Sequence, residues 1–329
     1  MKKKYLLLLL CIPLLITGCK QIPKLQDGKQ VVVELNGKQF SAEELFDALK
    51  EDYGTQVLVN MIDKYITEQE ITDEIKKEAK EQAKSQFDLI YAYYGKNWES
   101  YLANYGFAND QELLDQIEIN FQQSLVLEKY VKSDAIKEEE IQKYYDDNIY
   151  GEITVRHILI KPEVTDDMTD DEEKDAEEKA LDKAKELIKQ LNEAENLEEK
   201  FIELAKEHSD DTTAKEGGLI ENFTNESGLV EEFWEGSLNL EIGKITKEPV
   251  ETEYGYHIIY KVSQKEKPSL DLVRDKVIDK VLDELLSAEN ATYIYWAGLR
   301  EKHGLTIHDD IIKDAYDSTM KNLQKESSK

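Results

Sequence analysis

Two of the five histidines in this 329-residue chain stand inside apolar runs of strand length, and their placement is what could do chemistry. His157 interrupts Ile153-Thr154-Val155-Arg156-His157-Ile158-Leu159-Ile160, and His257 opens His257-Ile258-Ile259-Tyr260-Lys261-Val262. A lone strand histidine is commonly a hydrogen-bonded core residue. Two of them in the opening and closing strands of one small segment point further, because neighbouring strands bring such imidazoles together in the floor of a shared cleft.

The elements that must position them can be read from local patterns. The first run is β-branched and ends at Lys161-Pro162, as a strand does. An acidic stretch, Asp166 to Asp175, leads into a helix with Ala180, Leu181, Ala184, Leu187, Ile188 and Leu191 on one face. Asn196 and Glu199 cap a second helix carrying Phe201, Leu204 and Ala205 inward. Glycine-marked turns follow at Gly217-Gly218, Gly228, Gly236 and Gly243, and the His257 strand closes the unit. A β-α-α-turns-β segment of this size predicts a compact α+β domain.

Both flanks read as helical. Val31 to Leu35 forms a strand entering an Asn36-Gly37 turn, and Ser41 with Glu44 makes a capping box that starts a helix. Apolar residues then recur at helical spacing as far as Tyr150. Beyond Pro268, Leu270, Val273, Val277, Val281 and Leu285 mark a helix and Tyr293 to Leu299 a second. Leu305-Thr306-Ile307 reads as an edge strand, and Asp317 to Lys329 as a frayed polar tail.

The beginning of the chain sets a compartment. Lys2, Lys3 and Lys4 precede an apolar run, Tyr5 to Ile16, too short to span a bilayer comfortably. Ile16-Thr17-Gly18-Cys19 follows and resembles the lipobox of bacterial lipoproteins, in which the cysteine becomes the lipid-bearing first residue. The resemblance implies removal of 1–18 and an anchor at Cys19. Cys11 lies in the removed part, so the mature chain keeps one alkylated cysteine, which excludes disulfides and thiolate chemistry. The formal net charge is −29, and loss of the three lysines takes it to −32. Such a surface repels nucleic acid and anionic lipid headgroups.

Val155 to Ile160, Phe201 to Lys206, Ser209-Asp210-Asp211-Thr212-Thr213-Ala214-Lys215-Glu216-Gly217-Gly218, Phe223, Phe233, Leu240, Gly243, Pro249-Val250 and Thr252 to Ile259 occur in the order and spacing of the parvulin family of peptidyl-prolyl isomerases, which 152–262 resembles. The resemblance implies that the family's two active-site histidines fall on His157 and His257, and its Cys-or-Asp position on Asp211. Its proline pocket falls on Ile220, Leu229 and Phe233, with Phe223 and Thr252 nearby; those apolar residues also suit ordinary core. The chain departs from the family where Leu219-Ile220-Glu221 replaces Asp-Leu-Gly after the glycine pair. One residue is also inserted between Phe223 and Leu229. With the lipobox, the flanks resemble those of PrsA-type foldase lipoproteins of Gram-positive bacteria.

The expected organisation is a signal over 1–18, a tether over 19–30, a mainly helical segment over 31–150, a parvulin-like domain over 151–265 and a helical segment over 266–329 that joins the first in one chaperone lobe. The expected fold class is α+β, the small α/β domain being inserted between the helical segments. The expected function is isomerisation of X-Pro bonds in exported proteins at the outer face of the cell membrane. No cofactor, metal or nucleic acid is expected; the partners are unfolded exported chains and the membrane, with a homodimer left open. A holding chaperone with a silent isomerase domain is the alternative reading. A solute-binding lipoprotein lacks its repeated strand-helix lobes, and a metal enzyme on His157, Asp211 and His257 is redundant with the parvulin spacing.

Overall fold

The computed structural model describes residues 30–165 and 167–326. The signal, Cys19 and all of the tether but residue 30 lie outside the described residues. The elements are, in order, β1 (Val31–Leu35), β2 (Lys38–Ser41), α1 (Ala42–Glu70), α2 (Asp73–Tyr94), α3 (Trp98–Asn104), α4 (Asp110–Tyr130) and α5 (Glu138–Asn148). Next come β3 (Ile153–Ile160), α6 (Asp170–Asn192), α7 (Leu197–His208), β4 (Leu219–Phe223), α8 (Glu231–Leu238), β5 (Val250–Thr252) and β6 (Gly255–Gln264). Helices α9 (Leu270–Ser287), α10 (Ala291–Lys302) and α11 (Asp310–Glu326) complete an α+β chain. It forms two compact units, one from the residues up to Lys137 together with Ile278 onward, the other from Glu138 to Val277.

In the first unit Asn36 and Gly37 take positive φ, 50° and 79°, and turn β1 back onto β2. Ser41 then caps α1, its hydroxyl accepting from the Glu44 amide at 3.1 Å while the Glu44 carboxylate accepts from the Ser41 amide at 2.7 Å. Ile66, Val126, Leu127, Val131, Leu282, Trp296 and Leu299 share one core, drawn from both ends of the chain. Across it the buried Arg300 guanidinium donates to both carboxylate oxygens of Asp63, at 2.6 and 2.7 Å. A second core holds Ala83, Trp98, Tyr101, Leu102, Leu113 and Ile117.

Two expectations for the last segment fail. Leu305-Thr306-Ile307 forms no strand: Gly304 takes φ 74° and the Leu305 amide donates to the Arg300 carbonyl, closing the end of α10 instead. The tail expected to fray is helical as far as Glu326. Asp309 caps α11 through the Ile312 amide, and Tyr316 reaches Arg300 at 3.3 Å, so the helix is tied to the buried ion pair.

The second unit is a four-stranded antiparallel sheet in the order β4-β3-β6-β5. Strand alternation sends Ile158, Ile160, Tyr256, Ile258 and Tyr260 to one face, where Ala180, Ala184, Leu187, Ile188 and Leu191 of α6 and Phe201, Leu204 and Ala205 of α7 cover them. Thr169 and Glu172 make the capping box that starts α6, and Asn196 caps α7. Ile153, Val155 and Ile259 face the other way, onto Phe233 and Trp234 of α8. Both histidines lie on this second face.

Strands β4 and β5 and helix α8 were not legible as elements. Gly236, expected in a turn, lies inside α8, where a Cβ would come within 2.9 Å of the Val250 side chain; the glycine lets the helix settle on β5. Gly218 answers a tighter constraint. It has φ 71°, its carbonyl accepts from the His157 amide at 2.8 Å, and a Cβ there would stand 2.0 Å from the His157 carbonyl oxygen. Gly218→Ala is therefore expected to cost at least ~2 kcal/mol of urea-derived stability, combining a left-handed backbone with a backbone clash. Gly228, with φ 77° and open space around it, separates the two contributions: Gly228→Ala should cost only the backbone term, roughly 1 kcal/mol. Equal losses in the two variants would contradict the close approach.

Candidate active site

The register of β3 against β6 decides the geometry of the site. His157 stands opposite Ile259 and His257 opposite Leu159, so the histidines are diagonal neighbours on one face. Their rings lie 5.5 Å apart between centroids and 16° from parallel, with the two Nδ1 atoms 3.3 Å apart. Both are buried, at 3% and 5% exposure.

The outer nitrogens are held as well. His157 Nε2 lies 3.2 Å from Asp211 Oδ1 and 3.2 Å from Thr213 Oγ1, and His257 Nε2 lies 2.9 Å from Thr252 Oγ1. A carboxylate only accepts, which assigns the Nε2 proton to His157. In the neutral pair His157 Nδ1 then accepts from His257 Nδ1–H, and His257 Nε2 accepts from the Thr252 hydroxyl. The four side chains form one directed chain of hydrogen bonds ending on Asp211.

Asp211 reaches this position because the segment ahead of it is stitched to the end of β3. The Leu159 and Asp211 amides both donate to Ser209 Oγ, at 3.0 and 3.3 Å, the Asp210 amide donates to the Leu159 carbonyl, and Asp210 Oδ2 accepts from the Lys161 amide. Asp211 then caps the short 3-10 helix Thr212–Glu216.

The apolar residues named from the sequence gather on the same face. Phe233 presents its ring edge-on to both imidazoles, 5.2 Å from each. Phe223 packs against it at 6.1 Å, and half-buried Ile220 and Leu229 complete the cluster. Ile220 and Phe223 are three residues apart, so a regular strand would send them to opposite faces. They share one because β4 carries an irregularity at Asn222, φ 53°, where three steps of β4 oppose two of β3. Thr252, expected near the pocket, is the residue that holds His257. Leu219, a departure from the family pattern, stands opposite Arg156, and Glu221 is exposed. The inserted turn after Phe223 closes on itself, the Thr224 amide donating to Ser227 Oγ at 2.9 Å.

Electrostatics follow from the contacts. Hydrogen bonding from His157, then from the Thr213 hydroxyl and amide, holds the Asp211 carboxyl well below the usual carboxylate range against the cost of burial. Burial, then the neighbouring His157, pushes His257 down to about 4. Among the described residues no group of three or more His, Cys, Asp and Glu side chains is arranged to hold a metal.

The rotamase family, described as the PPIC-type PPIase domain, matches residues 157–263. Foldase protein PrsA 3 of Bacillus anthracis is 31% identical over 287 residues, covering 84% of this chain and 83% of the relative. The chain belongs to the PrsA foldase family. Foldase protein PrsA of Halalkalibacterium halodurans is 28% identical, over 86% of this chain and 79% of its own. The crystal structure of foldase protein PrsA from Streptococcus pneumoniae shares the fold, with a TM-score of 0.53 at 18% identity, covering 87% of this chain and 98% of that one. The Glu138–Val277 unit of this PrsA-family chain thus contains a peptidyl-prolyl cis-trans isomerase domain of the parvulin type.

Sequence reasoning missed Ser209 and Thr213 as parts of the site. The spacing Asp211-Thr212-Thr213 carried a signal for the second, since an aspartate often accepts from the amide two residues on. Burial of His257 also makes stability depend on pH. Above its ordinary 6.5, His257 is neutral in folded and unfolded chains alike. Between 6.5 and about 4 the unfolded chain binds a proton that the folded chain refuses, so stability falls as pH falls, by up to about 3 kcal/mol. Urea unfolding of the wild type and of His257→Asn from pH 7.5 to 4 should show the wild type losing that much relative to the variant; a constant difference would contradict a buried neutral imidazole.

Proposed function

We propose that the protein is a lipid-anchored, extracytoplasmic foldase that isomerises X-Pro bonds in exported chains, with His157, Asp211 and His257 as its active-site polar groups. The observation that carries this reading is the union of a buried polar chain with an apolar wall on one sheet face. Rotation about an X-Pro bond must break amide resonance, against a barrier of roughly 18–20 kcal/mol. A catalyst need only bind the twisted imide better than either planar form.

Ile220, Phe223, Leu229 and Phe233 would seat the prolyl ring and exclude the water that favours the polar planar amide. Asp211, ionised through the neutral range, sets the field at the imide carbonyl. The imidazoles and Thr252 keep that wall and carboxylate in fixed relation; no proton transfer is required of them. Leu219 and Glu221, the departures from the family pattern, stay out of that wall, Leu219 by its register opposite Arg156 and Glu221 by its exposure, which favours an active domain over a silent one.

Holding of clients belongs to the same proposal and draws on the first unit. Leu45, Leu49, Tyr53, Val57, Met61 and Tyr65 recur at every fourth residue of α1, all between 46% and 64% exposed. Such an apolar line suits transient contact with unfolded chains. Attachment is assigned to the lipid on Cys19; among the described residues no helix is long and apolar enough to cross a membrane.

The soluble chain beginning after Cys19 should accelerate cis-trans conversion of X-Pro peptides, and His157→Ala, Asp211→Ala and Phe233→Ala should each lower kcat/KM by roughly tenfold or more, about 1.4 kcal/mol of transition-state stabilisation. Full activity in the first two variants would sink the site assignment. A folded, inactive wild type that still suppresses client aggregation would leave only the holding role. In cells, Cys19→Ala should move the protein from the membrane fraction to the medium.

A further inference from the structure

Thr213 touches both ends of the contact that the site is organised around. Its amide donates to Asp211 Oδ1 at 2.8 Å, its hydroxyl donates to the same oxygen at 2.6 Å, and the hydroxyl oxygen lies 3.2 Å from His157 Nε2. Asp211 Oδ1 and His157 Nε2 are themselves 3.2 Å apart, which closes a triangle of carboxylate, hydroxyl and imidazole. The hydroxyl acts in both senses: its proton goes to the carboxylate, and its oxygen shares the His157 Nε2 proton with that carboxylate.

The consequences run in two directions. Toward the substrate, two hydrogen bonds from one residue to Oδ1 fix the rotamer of a short, half-buried side chain that otherwise turns freely about its terminal torsion. Toward the core, the carboxylate keeps the Nε2 proton on His157 only while that rotamer holds Oδ1 within reach of Nε2, and the resulting tautomer dictates which Nδ1 donates between the two histidines. We propose that Thr213 is a positioning residue of the isomerase: its hydroxyl sets the Asp211 rotamer and the His157 tautomer, and through the imidazole pair it orients His257. The proposal rests on the assignment of His157, Asp211 and His257 made above.

Its test uses the soluble chain beginning after Cys19 and the pair T213V and T213S, beside H157A and D211A. Valine keeps the shape and the backbone hydrogen bond but removes the hydroxyl; serine keeps the hydroxyl and removes the methyl. T213V should lose about tenfold in kcat/KM on X-Pro peptides, T213S should stay within about twofold of the wild type, and both should keep their far-ultraviolet spectrum. In parallel, imidazole 15N shifts should report one tautomer for each histidine in the wild type and T213S, and a mixture in T213V. If T213V fails to fold, T213A takes its place with the same expectations.

Wild-type activity and tautomers in T213V, with H157A and D211A impaired, would overturn the proposal and leave the site assignment standing. Equal losses in T213V and T213S would also overturn it, because packing and not the hydroxyl would then matter. Full activity in H157A and D211A would remove the assignment itself, and the role of Thr213 with it.

Discussion

The contact between two buried imidazole nitrogens, 3.3 Å apart, is the constraint on which the second unit is arranged. Neither ring can reach water, so every ring nitrogen must find a protein partner. A diagonal pair on adjacent antiparallel strands brings the Nδ1 atoms together in only one register, and a slip of either strand by one residue would turn its ring to the other face and part the pair. The outer nitrogens then require a carboxylate on one side and a hydroxyl on the other. Asp211 and Thr252 meet that need from a capped 3-10 turn and from the end of β5.

Much of the packing serves the same register. Gly218 lets β4 run close beside His157, and Gly236 lets α8 lie on β5 so that Phe233 closes over the imidazoles. Lys261, on the same strand face and 2% exposed, extends the pattern. Its ammonium donates to the carbonyl of Leu238 at 3.0 Å, at the last turn of α8, where a cation complements the helix dipole. A charge buried there is costly unless hydrogen-bonded, and the acceptor it finds belongs to the helix that carries Phe233.

The parts legible in the sequence were those set by short-range chemistry. The Ser41 and Asn196 caps, the Asn36-Gly37 turn and the histidine strands each depend on residues within a few positions of one another, and each forms where its pattern stands. What depended on partners distant in sequence was not legible. Nothing in Leu219 to Phe223 announces a strand with an irregularity at Asn222, because the pairing that makes it one comes from β3, more than sixty residues earlier. Gly236 resembles a turn residue until Val250 is seen pressing against it. The α11 segment is polar enough to suggest fraying, yet Tyr316 ties it to Arg300, whose own partner is Asp63 near the other end of the chain. In the candidate site the histidines were visible as an anomaly in apolar strands, whereas Thr213 acquires its role only once the 3-10 turn folds against β3.

Burial of the pair also decides what kind of catalyst the site can be. A histidine pushed down to about 4 holds few protons at neutral pH, and its one free lone pair, on Nε2, is spent on the Thr252 hydroxyl while its Nδ1–H is committed to His157. That would be a poor arrangement for a general base, which needs a value near the working pH and a free nitrogen aimed at substrate. It suits a reaction in which no bond to hydrogen is made or broken and the barrier is loss of conjugation. There the useful property is rigidity: a carboxylate and an apolar wall held in fixed relation favour the twisted imide only if they do not relax toward the planar one. The hydrogen-bonded floor beneath Phe233 provides that stiffness, and the same desolvation that makes His257 inert as a base makes the floor hard to deform.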